Sequence, residues 1–196
     1  MSDTLEYYNK NAKTFRDNTQ NVIFTKTQDK FLNYLNPGAK ILDFGCGSGR
    51  DTKYFLERGF RVEATDGSVE LVKIASEFTR IQVRQMLFQE LDEVGIYDGI
   101  WACSSILHLT RAELKDVLGK MSRALVSKGI VYTSFKYGIE ETVRNARYFS
   151  DMTEDKIKKL LDEVDLFFIE DMWVTSDVRP GREEEKWLNL IMRKKN

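Results

Sequence analysis

The stretch ILDFGCGSGRD, residues 41–51, constrains the fold more than any other part of the chain. An apolar, strand-like run leads into it, and Gly45, Gly47 and Gly49 follow at two-residue intervals. Glycine has no Cβ, so the backbone can turn sharply there and a ligand can come close to the main chain. The pattern over 50–58 is helical, which makes the stretch the loop of a strand–loop–helix unit.

That unit is the first of a series. Strands are predicted at 40–44, 60–65, 81–88, 99–103 and 130–135. Helices at 50–58 and 68–78 fall between them, the first closed by Gly59 and the second capped by Ser68. A further helix begins at Thr110, which forms a capping box with Glu113, and carries the stripe Leu114, Val117, Leu118, Met121 and Leu125. Repeated β–α units imply a parallel sheet with helices on both faces. After a helix capped by Thr153 come two strands, about 166–174 and 187–194, with only a charged loop between them. No crossover helix fits in that gap, so these two are antiparallel neighbours. Upstream, 4–17 and 21–35 read as helices, the second ending at Asn36-Pro37-Gly38. The expected fold is a Rossmann-like α/β/α sandwich: a seven-stranded, mostly parallel sheet with an antiparallel C-terminal strand. Residues 1–196 are expected to form a single domain, with a helical region 1–36 against a core 37–196.

Composition narrows the function classes. The net charge of −1 gives no basic field to recommend nucleic acid. No run of about 18 apolar residues is present, so no membrane span is expected. The opening MSDTLEYYNK lacks the apolar core of a signal peptide. Cys46, Cys103 and a single histidine offer neither a disulfide framework nor zinc-ligand spacing, so no metal is expected and a cytoplasmic setting fits.

Two kinds of ligand suit the glycine loop: a phosphate-bearing nucleotide, or an adenosyl cofactor without phosphates. A dinucleotide fingerprint reads G-x-G-x-x-G, and a P-loop needs Gly-Lys-Ser/Thr. Here the spacing is Gly45-x-Gly47-x-Gly49, followed by Arg50 and Asp51. Asp43, just before the glycines, is a poor neighbour for pyrophosphate and suits a ligand carrying cationic groups.

LDFGCGSGRD resembles the first motif of the class I S-adenosylmethionine-dependent methyltransferases, and ATDGS at 64–68 resembles their second. The order of elements from 40 to 196, with its closing hairpin, follows the same family. YYNKNAKTF and DVRPGREEEKWLNLIMRKK are similar to a group of small stand-alone bacterial methyltransferases, often labelled by analogy with tellurite-resistance methyltransferases. The resemblance implies that Asp43 lies near the amino-acid end of S-adenosylmethionine and that the loop Gly45, Cys46, Gly47, Gly49 passes under its ribose and methionine portions. It also implies that Asp66, beside Gly67 and Ser68, accepts hydrogen bonds from the ribose hydroxyls. The third motif departs from the family: RQMLFQEL has Leu87 where an acid is expected. Adenine is then expected between apolar groups, with Met86, Leu87 and Phe88 as candidates and N6 read by main chain or Gln89. Tyr7 and Tyr8 admit two readings: core residues of a covering helix, or, as the resemblance implies, part of a lid formed by 1–36, near the methyl donor, where an aromatic face attracts a sulfonium. Cys46 and Cys103 read as small residues beside the cofactor, not as nucleophiles.

In open α/β sheets ligands bind beyond the carboxyl ends of the strands. Segments 103–109, 136–152 and 175–186 leave those ends and hold His108, Lys136, Arg144, Arg147, Asp177, Arg179 and Arg182. Arg144 and Arg147 share a face if their stretch is helical. Converging guanidinium groups suit an anionic or oxyanion-bearing acceptor, and His108 is the candidate base. Paired acids would make the same arginines a solvated surface, and His108 beside Leu107 and Leu109 would then be a core group. The function expected is methyl transfer from S-adenosylmethionine to a small, anionic acceptor, leaving S-adenosylhomocysteine. The alternatives are an RNA or protein methyltransferase and a non-catalytic S-adenosylmethionine-binding sensor. A nicotinamide dehydrogenase is disfavoured by the glycine spacing.

Overall fold

The computed structural model describes residues 2–196; Met1, the first residue of the expected helical region, lies outside them. One sheet holds β1 (Lys40–Phe44), β2 (Arg61–Asp66), β3 (Arg84–Gln85), β4 (Tyr97–Ala102), β5 (Leu125–Lys136), β8 (Phe167–Ser176) and β9 (Lys186–Lys194). Their spatial order is β3-β2-β1-β4-β5-β9-β8. The first five pair in parallel, and β9 runs antiparallel to both β5 and β8. This is the sheet the sequence predicts, terminal hairpin included. The strand order reverses between β1 and β4, so a crevice opens at the carboxyl ends of that pair.

Alternation along the central strands builds two cores. Leu42, Ile100 and Val131 face one side, packed with Leu114, Val117 and Leu118 of α5 (Arg111–Ala124) and Ile157, Leu160 and Leu161 of α6 (Glu154–Val164). Ile41, Trp101 and Tyr132 face the other, against Phe31 of α2 (Thr25–Leu32) and Phe55 of α3 (Arg50–Glu57). Trp101 is 0% exposed and stacks on Tyr132 at 3.9 Å between centroids. Truncating it to alanine would cost about 3–5 kcal/mol. α4 (Val69–Thr79) starts at Ser68, whose hydroxyl accepts from the Leu71 amide. α1 (Ser2–Thr19) lies across the carboxyl ends of the strands, held to the start of α4 by a 2.7 Å hydrogen bond from Ser68 Oγ to Asn9 Oδ1.

Two strand expectations are corrected, and a third stretch, for which a helix is only a condition, takes another form. The third strand covers only Arg84–Gln85, not 81–88. The chain leaves the sheet at Met86 because Phe88 turns inward onto Phe44, 4.9 Å between centroids, and the Glu90 carboxylate accepts from the Leu87 amide. The fifth strand begins at Leu125, directly after α5, rather than at 130. Residues 141–150 form a hairpin, not a helix: β6 (Glu141–Arg144) and β7 (Arg147–Ser150) flank Asn145 and Ala146, both at positive φ (50° and 60°). Two successive left-handed residues are what a tight two-residue hairpin turn requires. Arg144 and Arg147 still share a face, because they are directly opposed across the hairpin.

Candidate active site

The glycine loop is pinned to the neighbouring strand. The Gly45 and Cys46 amides both donate to Thr65 O at 2.9 Å. The Gly47 amide donates to Asp66 Oδ2 at 2.9 Å and the Ser68 amide to Asp66 Oδ1 at 2.8 Å. Asp66 therefore closes the loop and keeps lone pairs directed at a cavity of about 720 Å³ that it lines with Gly45, Cys46, Gly47 and Gly67. Burial raises its pKa, and the two amides oppose that shift. Met86, Leu87 and Phe88 form the apolar wall of the same half.

Three of the expected cofactor residues stand back from the cavity. Asp43 is 2% exposed beneath the loop, accepts from Thr52 Oγ1 at 2.5 Å, and does not reach the cavity wall. Burial, then the nearby Asp51 carboxylate, pushes its pKa well above the usual carboxylate range. Ser68 is likewise outside the wall, its hydroxyl committed to the α4 cap and to Asn9. Gly49, at φ +84°, packs against Ala75 and Thr79 of α4 rather than facing the cavity. Burial pushes the Cys103 thiol up to about 12 and the Cys46 thiol well above its ordinary value, so both stay protonated.

The sequence reading missed a buried hub beside the loop. Arg50 grips Asp51 with two hydrogen bonds, Nε to Oδ1 at 2.7 Å and Nη2 to Oδ2 at 2.9 Å. Gln28 Nε2 donates to the same carboxylate at 2.7 Å and Trp101 Nε1 at 2.8 Å. The guanidinium lies 4.8 Å from the Phe24 ring and forms part of the cavity wall. The adjacent Arg-Asp pair was visible in the sequence, but nothing local announced Gln28, Phe24 or Trp101 as partners.

The other half of the cavity is cationic. His108, at the short helical turn after β4, meets Tyr8 Oη with Nε2 at 2.8 Å and the Tyr148 carbonyl with Nδ1 at 2.6 Å. Burial, and then Arg147, lowers its pKa to about 4, so the ring is neutral. Arg144 is paired in two-pronged fashion with Asp151, and Arg179 with Asp177. Lys136 pairs with Glu185 and lies 4.3 Å over the Trp187 ring; burial lowers its pKa to about 8. Arg147 differs from these. Among the described residues no carboxylate lies within ion-pair distance of it, and its buried Nε has no hydrogen-bond partner. Its guanidinium sits 4.3 Å from the Tyr7 ring, 5.2 Å from Phe149 and 5.8 Å from Tyr8.

The fold is that of the class I S-adenosylmethionine-dependent methyltransferases, and residues 41–129 match a family model described as a methyltransferase domain. More particular likenesses point the same way. The chain is 30% identical over 143 residues to an uncharacterized methyltransferase of Geobacillus kaustophilus, covering 66% of this chain and 65% of that one. A 1,6-didemethyltoxoflavin-N1-methyltransferase from Burkholderia thailandensis, solved with 1,6-didemethyltoxoflavin and S-adenosylhomocysteine, superposes with a TM-score of 0.80 at 24% identity, over 100% of this chain and 87% of that one. A TehB-like methyltransferase from Corynebacterium glutamicum superposes with a TM-score of 0.69 at 20% identity, over 100% of both chains. The chain spans about half the length of the first two curated relatives it matches, 43% and 50%. Among the described residues no helix is long and apolar enough to cross a membrane, and no cluster of His, Cys, Asp or Glu suits a metal.

Proposed function

We propose that this protein transfers the methyl group of S-adenosylmethionine to a small acceptor bearing an anionic group. The observation that carries the reading is a single cavity with two chemically distinct halves: a bare, carboxylate-closed loop on one side and a cationic wall on the other. Asp66 would take the ribose hydroxyls, Gly45–Gly47 the methionine portion, and Met86, Leu87 and Phe88 the adenine faces. Asp43 would act indirectly, by holding the loop from beneath through Thr52. S-adenosylmethionine supplies an already activated methyl group, so the protein's own task is alignment and exclusion of water.

Arg147 is the residue to which the acceptor's anion would bind. A guanidinium near a sulfonium is unfavourable unless an anion joins them, and Arg147 is the one arginine of the cavity wall that lacks one among the described residues. Within a single domain, residues 1–36 would serve as the lid over the core 37–196, since Tyr8 and Phe15 of α1 line the cavity. A half-open cleft of this volume favours a small molecule over RNA or protein. Structural neighbours act on small molecules, as the toxoflavin-precursor enzyme does.

Calorimetry with S-adenosylhomocysteine tests the cofactor half. Asp66→Ala should weaken binding at least about tenfold, since two charge-assisted hydrogen bonds are lost. Unchanged affinity in a folded variant removes Asp66 from the site. A panel of small carboxylates, phenolates and oxyanions, scored for S-adenosylhomocysteine release, tests the acceptor half. Turnover of cationic or neutral acceptors only would overturn the anionic reading.

A further inference from the structure

We infer that Tyr8 Oη is the group that takes the proton from the methyl acceptor, with His108 behind it as the positioning residue that receives Tyr8's own proton. This rests on the methyl-transfer reading above and concerns acceptors that arrive as O–H or N–H.

The argument is one of hydrogen-bond polarity. A backbone carbonyl only accepts, so the 2.6 Å contact between His108 Nδ1 and Tyr148 O fixes the proton on Nδ1. A neutral imidazole has one N–H, so Nε2 is an acceptor and the Tyr8 hydroxyl donates to it at 2.8 Å. The His108 lone pair is thereby occupied, and the dyad's remaining acceptor capacity belongs to Tyr8 Oη, which Arg147 also approaches as a donor. Both side chains line the cavity, and the His108 ring is held edge-on by Phe149 at 4.8 Å and Tyr8 at 5.6 Å. His108 therefore acts through Tyr8, not on the acceptor directly.

The groups facing the dyad are Arg147 from the hairpin, Asp66 from β2 and Tyr7 on α1. Asp3 and Glu113 line a smaller cavity behind the ring. In the step, the acceptor's lone pair forms the new bond to the methyl carbon, and the electron pair of the broken carbon–sulfur bond stays on sulfur. The acceptor's proton passes to Tyr8 Oη as Tyr8's proton passes to His108 Nε2. The site exchanges a sulfonium charge for an imidazolium charge, so no net charge is created. The Tyr148 carbonyl stabilises that imidazolium, while burial and Arg147 oppose it, so it forms only as the proton arrives and is then lost to solvent.

The chain has one histidine, so ¹⁵N-labelled protein gives a single pair of imidazole nitrogen signals. At pH 7, without ligand and with S-adenosylhomocysteine, the Nδ1–H tautomer is expected. In Tyr8→Phe the Nε2 resonance should move, and the ring pKa should rise as the neutral form loses its donor. With the best acceptor from the panel, Tyr8→Phe should lower kcat about 100-fold with little change in KM. His108→Gln keeps an acceptor for the Tyr8 hydroxyl but no base, and should lose a comparable factor. Both losses should shrink for an acceptor already ionised before binding. An Nε2–H tautomer in the wild type, or full kcat in Tyr8→Phe on a protonated acceptor, overturns the inference while leaving methyl transfer standing. A wild type that releases no S-adenosylhomocysteine with any acceptor overturns the methyl-transfer reading, and the relay with it.

Discussion

A Cβ built on Gly49 lies 2.8 Å from Thr79 Cγ2 and 3.2 Å from the backbone Cα of Ala75, so the loop and α4 meet at a point where only glycine fits. Gly49 also has φ +84°, a conformation that costs other residues about 1–2 kcal/mol. Gly38 is a matched control, with φ +74° and nothing within 4 Å of where its Cβ would stand.

Gly49→Ala and Gly38→Ala therefore separate backbone strain from contact. Gly38→Ala should lose about 1 kcal/mol in urea unfolding, the conformational term alone. Gly49→Ala should lose at least about 2 kcal/mol more, because the α4 backbone cannot yield as a side-chain tip can. Equal losses would show that the crowding at Ala75 relaxes freely.

Stability should carry the signature of His108. Its folded pKa, lowered to about 4, lies below the ordinary 6.5. As pH falls through 6.5 the unfolded chain takes up a proton first, so unfolding becomes easier until about pH 4. The contribution is complete above the unfolded value and is lost across that window, about 3 kcal/mol in total. Because His108 is the sole histidine, the difference between wild type and His108→Gln isolates it. That difference should fall by most of this amount between about pH 7.5 and 4.5. A constant gap would mean that the ring titrates normally in the folded protein.

Much of this was legible in the sequence because it rests on local patterns. The glycine spacing, the Ser68 and Thr110 caps and the too-short loop before 187 each act within a few residues, and each gives the element it predicts. The hairpin at 141–150 was not legible: EETVRNARYF mixes polar and apolar residues without a clear period, and its Asn-Ala turn lacks the glycine that marks such turns. Partnerships across the chain were also hidden. Gln28 and Asp51 lie 23 residues apart, and Tyr8 and His108 lie 100 apart. Nothing in either segment encodes the other; only the β–α winding brings them together. The same holds for the arginines, whose approach to one cavity could be foreseen but not which of them an acid would neutralise.

Arg144 and Arg147 show why that difference matters. They are opposed across the hairpin, and like charges so placed repel. The fold resolves the repulsion asymmetrically: Asp151 neutralises Arg144, while Arg147 rests against aromatic faces and the Tyr8 hydroxyl. Arg144→Ala would strand the buried Asp151 carboxylate, whose side chain is 6% exposed, with its main partner gone. That should cost about 2–3 kcal/mol in urea unfolding, the lower part of the range for breaking a buried pair because Arg144 itself is partly solvated. Arg147→Ala removes cation–π contacts and the approach to the Tyr8 hydroxyl but strands no buried charge, and should cost about 1 kcal/mol. In turnover the order should reverse, with Arg147→Ala raising KM for an anionic acceptor at least about tenfold through the loss of its one charge-assisted contact. If instead Arg144→Ala raises KM and leaves stability intact, then Asp151 exchanges Arg144 for the acceptor, and the anion binds to the paired guanidinium rather than the free one.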